Sequence, residues 1–257
     1  MQKIVPCLWF SKEAEEAAEY YVTVFKDSKI VDVKRFGKGG RAPEGSVMAV
    51  SFKIRGYEFA ALNTNPESNF TPAISFFVHC GTREEVDELW GKLSEGGSPL
   101  MELDKYPWSE RYGWIRDKYG VTWQLMLAPQ AAKIVPSLLF VGAQYRKVEE
   151  AMKFYTSLFK DSRINSIERY GPDQQGEDED AVMYASFTLA GQEFVAMESG
   201  LEHAFTFTEA VSLMVNCEDA NEVAMLTDKL SSGGIRQPGG WLKDRYGVSW
   251  VIVRRPT

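Results

Sequence analysis

The string IVPCLWF at residues 4–10 returns as IVPSLLF at 134–140, and four further blocks recur in the same order. EEAAEYYVTVFKDSKI from Glu15 matches EEAMKFYTSLFKDSRI from Glu149, and MAVSFKIRGYEFAALN from Met48 matches MYASFTLAGQEFVAME from Met183. TPAISFFVHC from Thr71 matches TEAVSLMVNC from Thr208, and GWIRDKYGVTWQL from Gly113 matches GWLKDRYGVSWVI from Gly240. A chain that repeats itself in this way is built from two copies of one unit, whatever that unit is. The copies occupy residues 1–128 and 133–257, about the size at which a domain buries roughly two thirds of its unfolded surface. The offset drifts from 130 to 137 and then falls by ten residues before the last block. Insertions and deletions therefore lie between the blocks, where loops tolerate them.

Inside each copy the apolar period changes in a fixed order. Ile4 to Phe10 is apolar on both alternations and too short for a helix, hence a strand buried on two faces. Ala14, Ala17, Ala18, Tyr21 and Phe25 then follow a helical period, as do Val148, Ala151, Met152, Tyr155 and Phe159. Three strands follow, Ile30 to Phe36, Val47 to Ile54 and Glu58 to Asn63, with Gly56 in a tight hairpin. The second half of the copy begins again with a strand, Ala73 to Cys80. Thr82 and Glu85 make a capping box for the next helix, as Asp219 and Glu222 do in the second copy. Gly96 and Gly233 end those helices, and the last strands run Val121 to Leu127 and Val248 to Val253. Each copy thus reads βαβββ twice, an α+β fold class with four modules in the chain.

These paired modules, with the strings FYxxLFKDS, PAISFFVHC, EEVDELW and GWLKDRYGVSW, resemble the glyoxalase, bleomycin-resistance and dioxygenase (vicinal oxygen chelate) superfamily in its PhnB-like branch. That branch carries the label 3-demethylubiquinone-9 3-methyltransferase. The resemblance covers nearly the whole chain and implies two tandem glyoxalase-like domains, with curled mixed sheets forming cups and helices outside. The label implies methyl transfer, but no G-x-G-x-x-G turn joins a strand to a helix here. Gly37, Gly39 and Gly40 follow a hairpin strand and precede no helical stripe. No cofactor is expected.

The resemblance also implies where metal ligands would stand. The positions fall on Pro6, Asn63, Ala73 and Gln124 in the first copy and on Pro136, Glu198, Ala210 and Val251 in the second. Neither set suits zinc, iron or nickel, which need several His, Glu, Asp or Cys ligands. No metal is expected. The two histidines, His79 and His203, have no histidine or acidic partner at helical or strand spacing and are expected to be hydrogen-bonded or exposed.

If the strands keep the superfamily's inward register, the first cup is lined by Pro6, Leu8, Phe10, Phe59, Ala61, Asn63, Ala73, Ser75, Phe77, Thr122 and Gln124. The second would show Leu138, Phe140, Phe194, Glu198, Ser212, Met214 and Ser249. Such mostly apolar surfaces with a few hydrogen-bonding groups suit a small uncharged or aromatic ligand. The ligand-binding candidates are Phe10, Asn63, Ser75, Phe77, Trp114, Gln124, Phe140, Ser212 and Trp241. Trp114 and Trp241 belong to the GW-x-x-D-x-Y-G hairpins, in which Asp117 and Asp244 can bond the turn backbone and Tyr119 and Tyr246 cover the sheet edge.

Three readings of function remain open from the sequence. The chain is a metal-free small-molecule-binding protein; or an enzyme with Glu198 as general base and Ser212 or Gln124 orienting substrate; or a structural module with filled cups. Whether the modules pair within a copy or swap across chains is also open, and a homodimer is compatible with either arrangement. The net charge of −7 argues against binding a phosphate backbone. The acidic run at Gly176 to Asp180 reads as a solvated hairpin loop. Cys7, Cys80 and Cys217 form no CxxC and read as thiols packed in a reducing compartment. With no signal-like start and no run approaching about 18 apolar residues, a cytoplasmic location away from membranes is expected.

Overall fold

A computed structural model describes residues 2–64, 69–129, 132–172 and 174–255. Of the junction between the copies, Gln130 and Ala131 lie outside the described residues. The first module consists of β1 (Ile4–Phe10), α1 (Ala14–Val24), β2 (Ser28–Arg35), β3 (Val47–Ile54) and β4 (Tyr57–Asn63). The second has β5 (Ile74–Cys80), α2 (Arg83–Ser94), β6 (Ser98–Tyr106), β7 (Ser109–Arg116) and β8 (Thr122–Leu127). The third has β9 (Ile134–Val141), α3 (Val148–Leu158), β10 (Arg163–Arg169), β11 (Val182–Leu189) and β12 (Gln192–Ser199). The fourth has β13 (Val211–Cys217), α4 (Ala220–Ser231), β14 (Ile235–Arg236), β15 (Trp241–Lys243) and β16 (Ser249–Arg254).

Local chemistry explains these boundaries. Thr82 accepts the Glu85 amide while the Glu85 carboxylate accepts the Gly81 amide, and Asp219 and Glu222 repeat the exchange at α4. The β3–β4 and β11–β12 hairpins turn on Arg55-Gly56 and Ala190-Gly191, all four residues at positive φ, which matches the right-handed twist of the flanking strands. The acidic run sits, as read from the sequence, in the hairpin loop between β10 and β11.

The strands assemble into two eight-stranded sheets whose membership crosses the repeat. The terminal sheet orders β14-β15-β16-β13-β1-β4-β3-β2 and joins the first and fourth modules; the central sheet orders β10-β11-β12-β9-β5-β8-β7-β6 and joins the second and third. Each sheet has an antiparallel seam at its middle, β1 with β13 (Cys7 opposite Ser212) and β5 with β9 (Ser75 opposite Ser137). The linings expected from within one copy are therefore distributed over two sheets.

The helices pack on the convex faces, and the convex faces meet each other. Phe59 of β4 contacts Phe76 of β5 at 5.1 Å between ring centroids, and Tyr21 of α1 contacts Trp123 of β8 at 5.3 Å. One continuous core results, from Ile4, Leu8 and Phe10 through the helices to Leu213 and Trp250.

Asp117 ties that core to its turn. One carboxylate oxygen accepts the Tyr119 and Val121 amides at 2.9 and 3.1 Å, and the other accepts the Tyr21 hydroxyl and Trp123 indole, both at 2.8 Å. Asp244 repeats all four bonds with Tyr246, Val248, Tyr155 and Trp250. Burial raises both carboxyls above their ordinary range, and the four donors oppose that shift. Asp117→Ala would leave four buried donors without acceptors; at about 1–3 kcal/mol each, a loss of about 3 kcal/mol or more in urea unfolding is expected. Residues 1–128 expressed alone would expose β1 and β5 as unpaired edges. Because β5 is the repeat equivalent of β13, this half is expected to dimerise by pairing β1 of one copy with β5 of another, which light scattering would detect as twice the monomer mass.

Candidate functional site: the concave face of the central sheet

Successive strand residues face opposite sides, so the residues packed with the helices fix the concave face by alternation. On β5 and β8, Ile74, Phe76, Val78, Trp123 and Leu125 face the helices, which turns Ser75, Phe77, His79, Thr122, Gln124 and Met126 into the concavity. This agrees with the expected register. On the first and fourth strands of modules one and three the register is the reverse. Leu8, Phe10, Phe59, Ala61, Leu138, Phe140 and Phe194 belong to the helix-side core, and Val5, Cys7 and Ala60 or Val135 and Val195 occupy the concave faces. The expectation for these strands was off by one residue.

Four candidates are corrected accordingly. Phe10 packs against Phe70 and Tyr119, and Phe140 against Phe207 and Tyr246, all within the core. Asn63 accepts the Ala14 amide at 2.9 Å and donates to the Val47 carbonyl at 3.1 Å. Glu198 accepts the Val148 amide at 2.8 Å and the Val182 amide at 2.7 Å. Helices α1 and α3 have no side-chain cap from their own N-cap residues, so Asn63 and Glu198 take up the first free helix donors from an adjoining strand. Both oxygens of Glu198 are thus committed to backbone donors, which is a different task from that of a general base. Glu198→Gln would set an amide against one of those N–H groups; a loss of about 2 kcal/mol in unfolding free energy is expected.

Ser75, Phe77, Trp114 and Gln124 come together on the central concave face. Tyr112, which burial keeps protonated, donates to Gln124 Oε1 at 2.6 Å, and Gln124 Nε2 donates to Ser75 Oγ at 2.8 Å. Trp114 lies opposite Gln124, and Phe77 lies between Gln124 and Val135. Phe77, Tyr112, Val135 and Val195 form a buried floor under half-buried Met101, Tyr106, Met126, Tyr184 and Met197. His79 stands on this face as well, 8% exposed, with neither ring nitrogen bonded to a described residue. The expectation of a bonded or exposed histidine is corrected here; burial lowers its pKa, followed by the charge of Lys133. His203 does bond, to the Ser199 hydroxyl at 2.9 Å. The sequence signal for the missed residues was the alternation Tyr112, Trp114, Arg116 through β7.

Ser212 and Trp241 lie instead on the concave face of the terminal sheet. There the Trp9 indole donates to Ser212 Oγ at 2.7 Å, and the Trp9 and Trp241 rings meet edge to face. Cys7 sits on this floor with its thiol pushed up to about 12 by burial, and Cys80 and Cys217 are also buried and free. A recess of about 760 Å³ at the tip of the β6–β7 hairpin, bordered by Tyr106, Trp108 and Leu127, is wide open to solvent and lies off both floors.

The donor sets do not fit a divalent ion. Among the described residues no three His, Cys, Asp or Glu side chains gather, and the concave faces offer hydroxyls, an amide and, on separate sheets, the His79 imidazole and the Cys7 thiol. The described strand-to-helix connections carry at most one glycine each, Gly81 between β5 and α2 and Gly142 between β9 and α3, and not the three-glycine pattern that lets a backbone approach a nucleotide-like cofactor.

Two curled sheets built from four βαβββ modules, with helices on the convex sides and concave faces free of them, define a glyoxalase-like (vicinal oxygen chelate) fold. A family model described as 3-demethylubiquinone-9 3-methyltransferase matches residues 2–126 and again 132–253, and the chain belongs to that family. A PhnB protein from Bacillus cereus is 43% identical over 49% of this chain and 100% of its own, with a TM-score of 0.47. Glyoxalase I from Zea mays is 13% identical but aligns over 98% of this chain and 92% of its own, with a TM-score of 0.60. Its E144Q mutant aligns over the same 98% of this chain and 93% of its own, also 13% identical, with a TM-score of 0.62. No curated protein matches the chain. Among the described residues no helix is long and apolar enough to cross a membrane.

Proposed function

We propose that the chain binds a small organic molecule on the concave face of the central sheet, without a metal ion. One observation carries this reading. Six buried side-chain polar atoms have no hydrogen-bond partner among the described residues, and five of them belong to this one face: both ring nitrogens of His79, Trp114 Nε1, Arg116 Nε and Ser137 Oγ. Folded proteins satisfy nearly all such atoms, since an unpaired one costs about 1–3 kcal/mol. Their concentration on a single concave surface is what a guest with hydrogen-bonding groups would relieve. The surrounding floor of Phe77, Val135 and Val195 supplies the apolar contact such a guest needs. Met101, Met126 and Met197 at the rim are unbranched and adaptable, so admitting the guest requires side-chain rotation rather than movement of strands.

A thermal-shift screen of the full chain against aromatic and aliphatic acids, amides and ketones tests the proposal. Stabilising compounds are expected whose effect is lost in Ser137→Val and Gln124→Leu. If no compound stabilises the protein, or if hits stabilise both variants as well as the wild type, the face is a filled core and the binding reading fails. Elemental analysis of the purified protein tests the other half, because a stoichiometric divalent metal would overturn it.

A further inference from the structure

Two of the five partnerless atoms on this face, Arg116 Nε and Ser137 Oγ, stand in one row of the sheet. Arg116 of β7 lies opposite Thr122 of β8, and the pairing of Phe76 with Trp123 puts Thr122 beside Ser75, which in turn lies opposite Ser137 of β9. The row therefore crosses four strands as Arg, Thr, Ser and Ser, with no carboxylate in it. Ser137 is 1% exposed and its hydroxyl has no described partner. Ser75 Oγ accepts from Gln124, which leaves its own hydrogen free to donate. Arg116 is half-buried, its Nε is withdrawn from solvent, and it makes no ion pair with a described residue. Arg55, Arg111 and Arg169, by contrast, each reach a carboxylate.

The repeat supplies an internal control. The equivalent row of the terminal sheet is Lys243, Ser249, Ser212 and Cys7. There the cation has a counter-charge, Glu209 at 3.6 Å, and a thiol replaces the second serine, while Ser212 accepts from the Trp9 indole much as Ser75 accepts from Gln124. The same fold position thus has a paired cation in one sheet, and in the other an unpaired cation together with a buried hydroxyl that has no described partner.

Resting on the binding reading above, we infer that the guest of the central cup is an amphipathic carboxylate. Its anionic head sits along the Arg116, Ser75 and Ser137 row, and its apolar body lies over Phe77 and Trp114. A guanidinium and serine hydroxyls in one row offer a carboxylate a counter-charge and hydrogen-bond donors, and such charge-assisted bonds are about twice as strong as neutral ones. An uncharged guest would leave the guanidinium without a counter-charge.

The test is calorimetric titration of the full chain with naphthalene-2-carboxylate and its isosteric amide, naphthalene-2-carboxamide. Wild type is expected to bind the carboxylate about tenfold more tightly, Arg116→Gln to bring the two within about threefold, and Arg116→Lys to keep most of the preference. Lys243→Gln, in the control row, should retain the wild-type preference. Equal affinity for both probes in the wild type, or a preference that survives Arg116→Gln, overturns the carboxylate inference. In that event, binding of the amide that is lost in Trp114→Ala leaves the cup reading standing. Failure of both probes to bind counts against both.

Discussion

The two antiparallel seams, β1 against β13 and β5 against β9, are the interactions on which the architecture depends. Each βαβββ module ends at an open strand edge, and backbone donors and acceptors along that edge must pair with something. In this chain the edge of the first module is met by the fourth and the edge of the second by the third, so the first strand to be made is paired with the first strand of the last module. That placement buries the seam strands on both faces, and β5 and β9 are buried at every position. It also forces the convex faces of the two sheets together through Phe59, Phe76 and Trp123. The concave faces are what remains.

From this common frame the two concave faces have diverged. The fall of ten residues in the repeat offset comes between α4 and β16, where β14 and β15 are two and three residues long against nine and eight for β6 and β7. The longer hairpin supplies Met101, Tyr106, Tyr112 and Trp114 to the central face, enclosing it. The terminal face, without that hairpin, settles its polar groups among its own side chains. By contrast, the buried Asp117 and Asp244 and their four donors are the same in both copies, because a turn that must hold a desolvated carboxylate tolerates little change.

Much of the fold was legible before any coordinates. The helical stripes, the Thr82 and Asp219 capping boxes and the Arg55-Gly56 turn are local features, and local chemistry produces them. The faces of β5 and β8 were legible too, since Ser75, Thr122 and Gln124 alternate with Ile74, Phe76 and Trp123. On β1 that signal is missing because both faces are apolar, so nothing in the alternation distinguishes Leu8 from Cys7, and on β9 it rests on Ser137 alone. Asn63 and Glu198 looked like polar residues of a cup for the same reason. In fact they are polar because helix N-termini stand beside them.

The sequence by itself determined the four modules, their order and the family. It could do so because repeats, periodicities and residue types are properties of neighbours along the chain. Which module pairs with which, and therefore which side chains share a concave face, was decided only by tertiary structure. Arg116 and Ser137 belong to different sequence copies and stand in one row because of a seam between β5 and β9, and strand pairing of that kind depends on edges that meet only after the chain has folded.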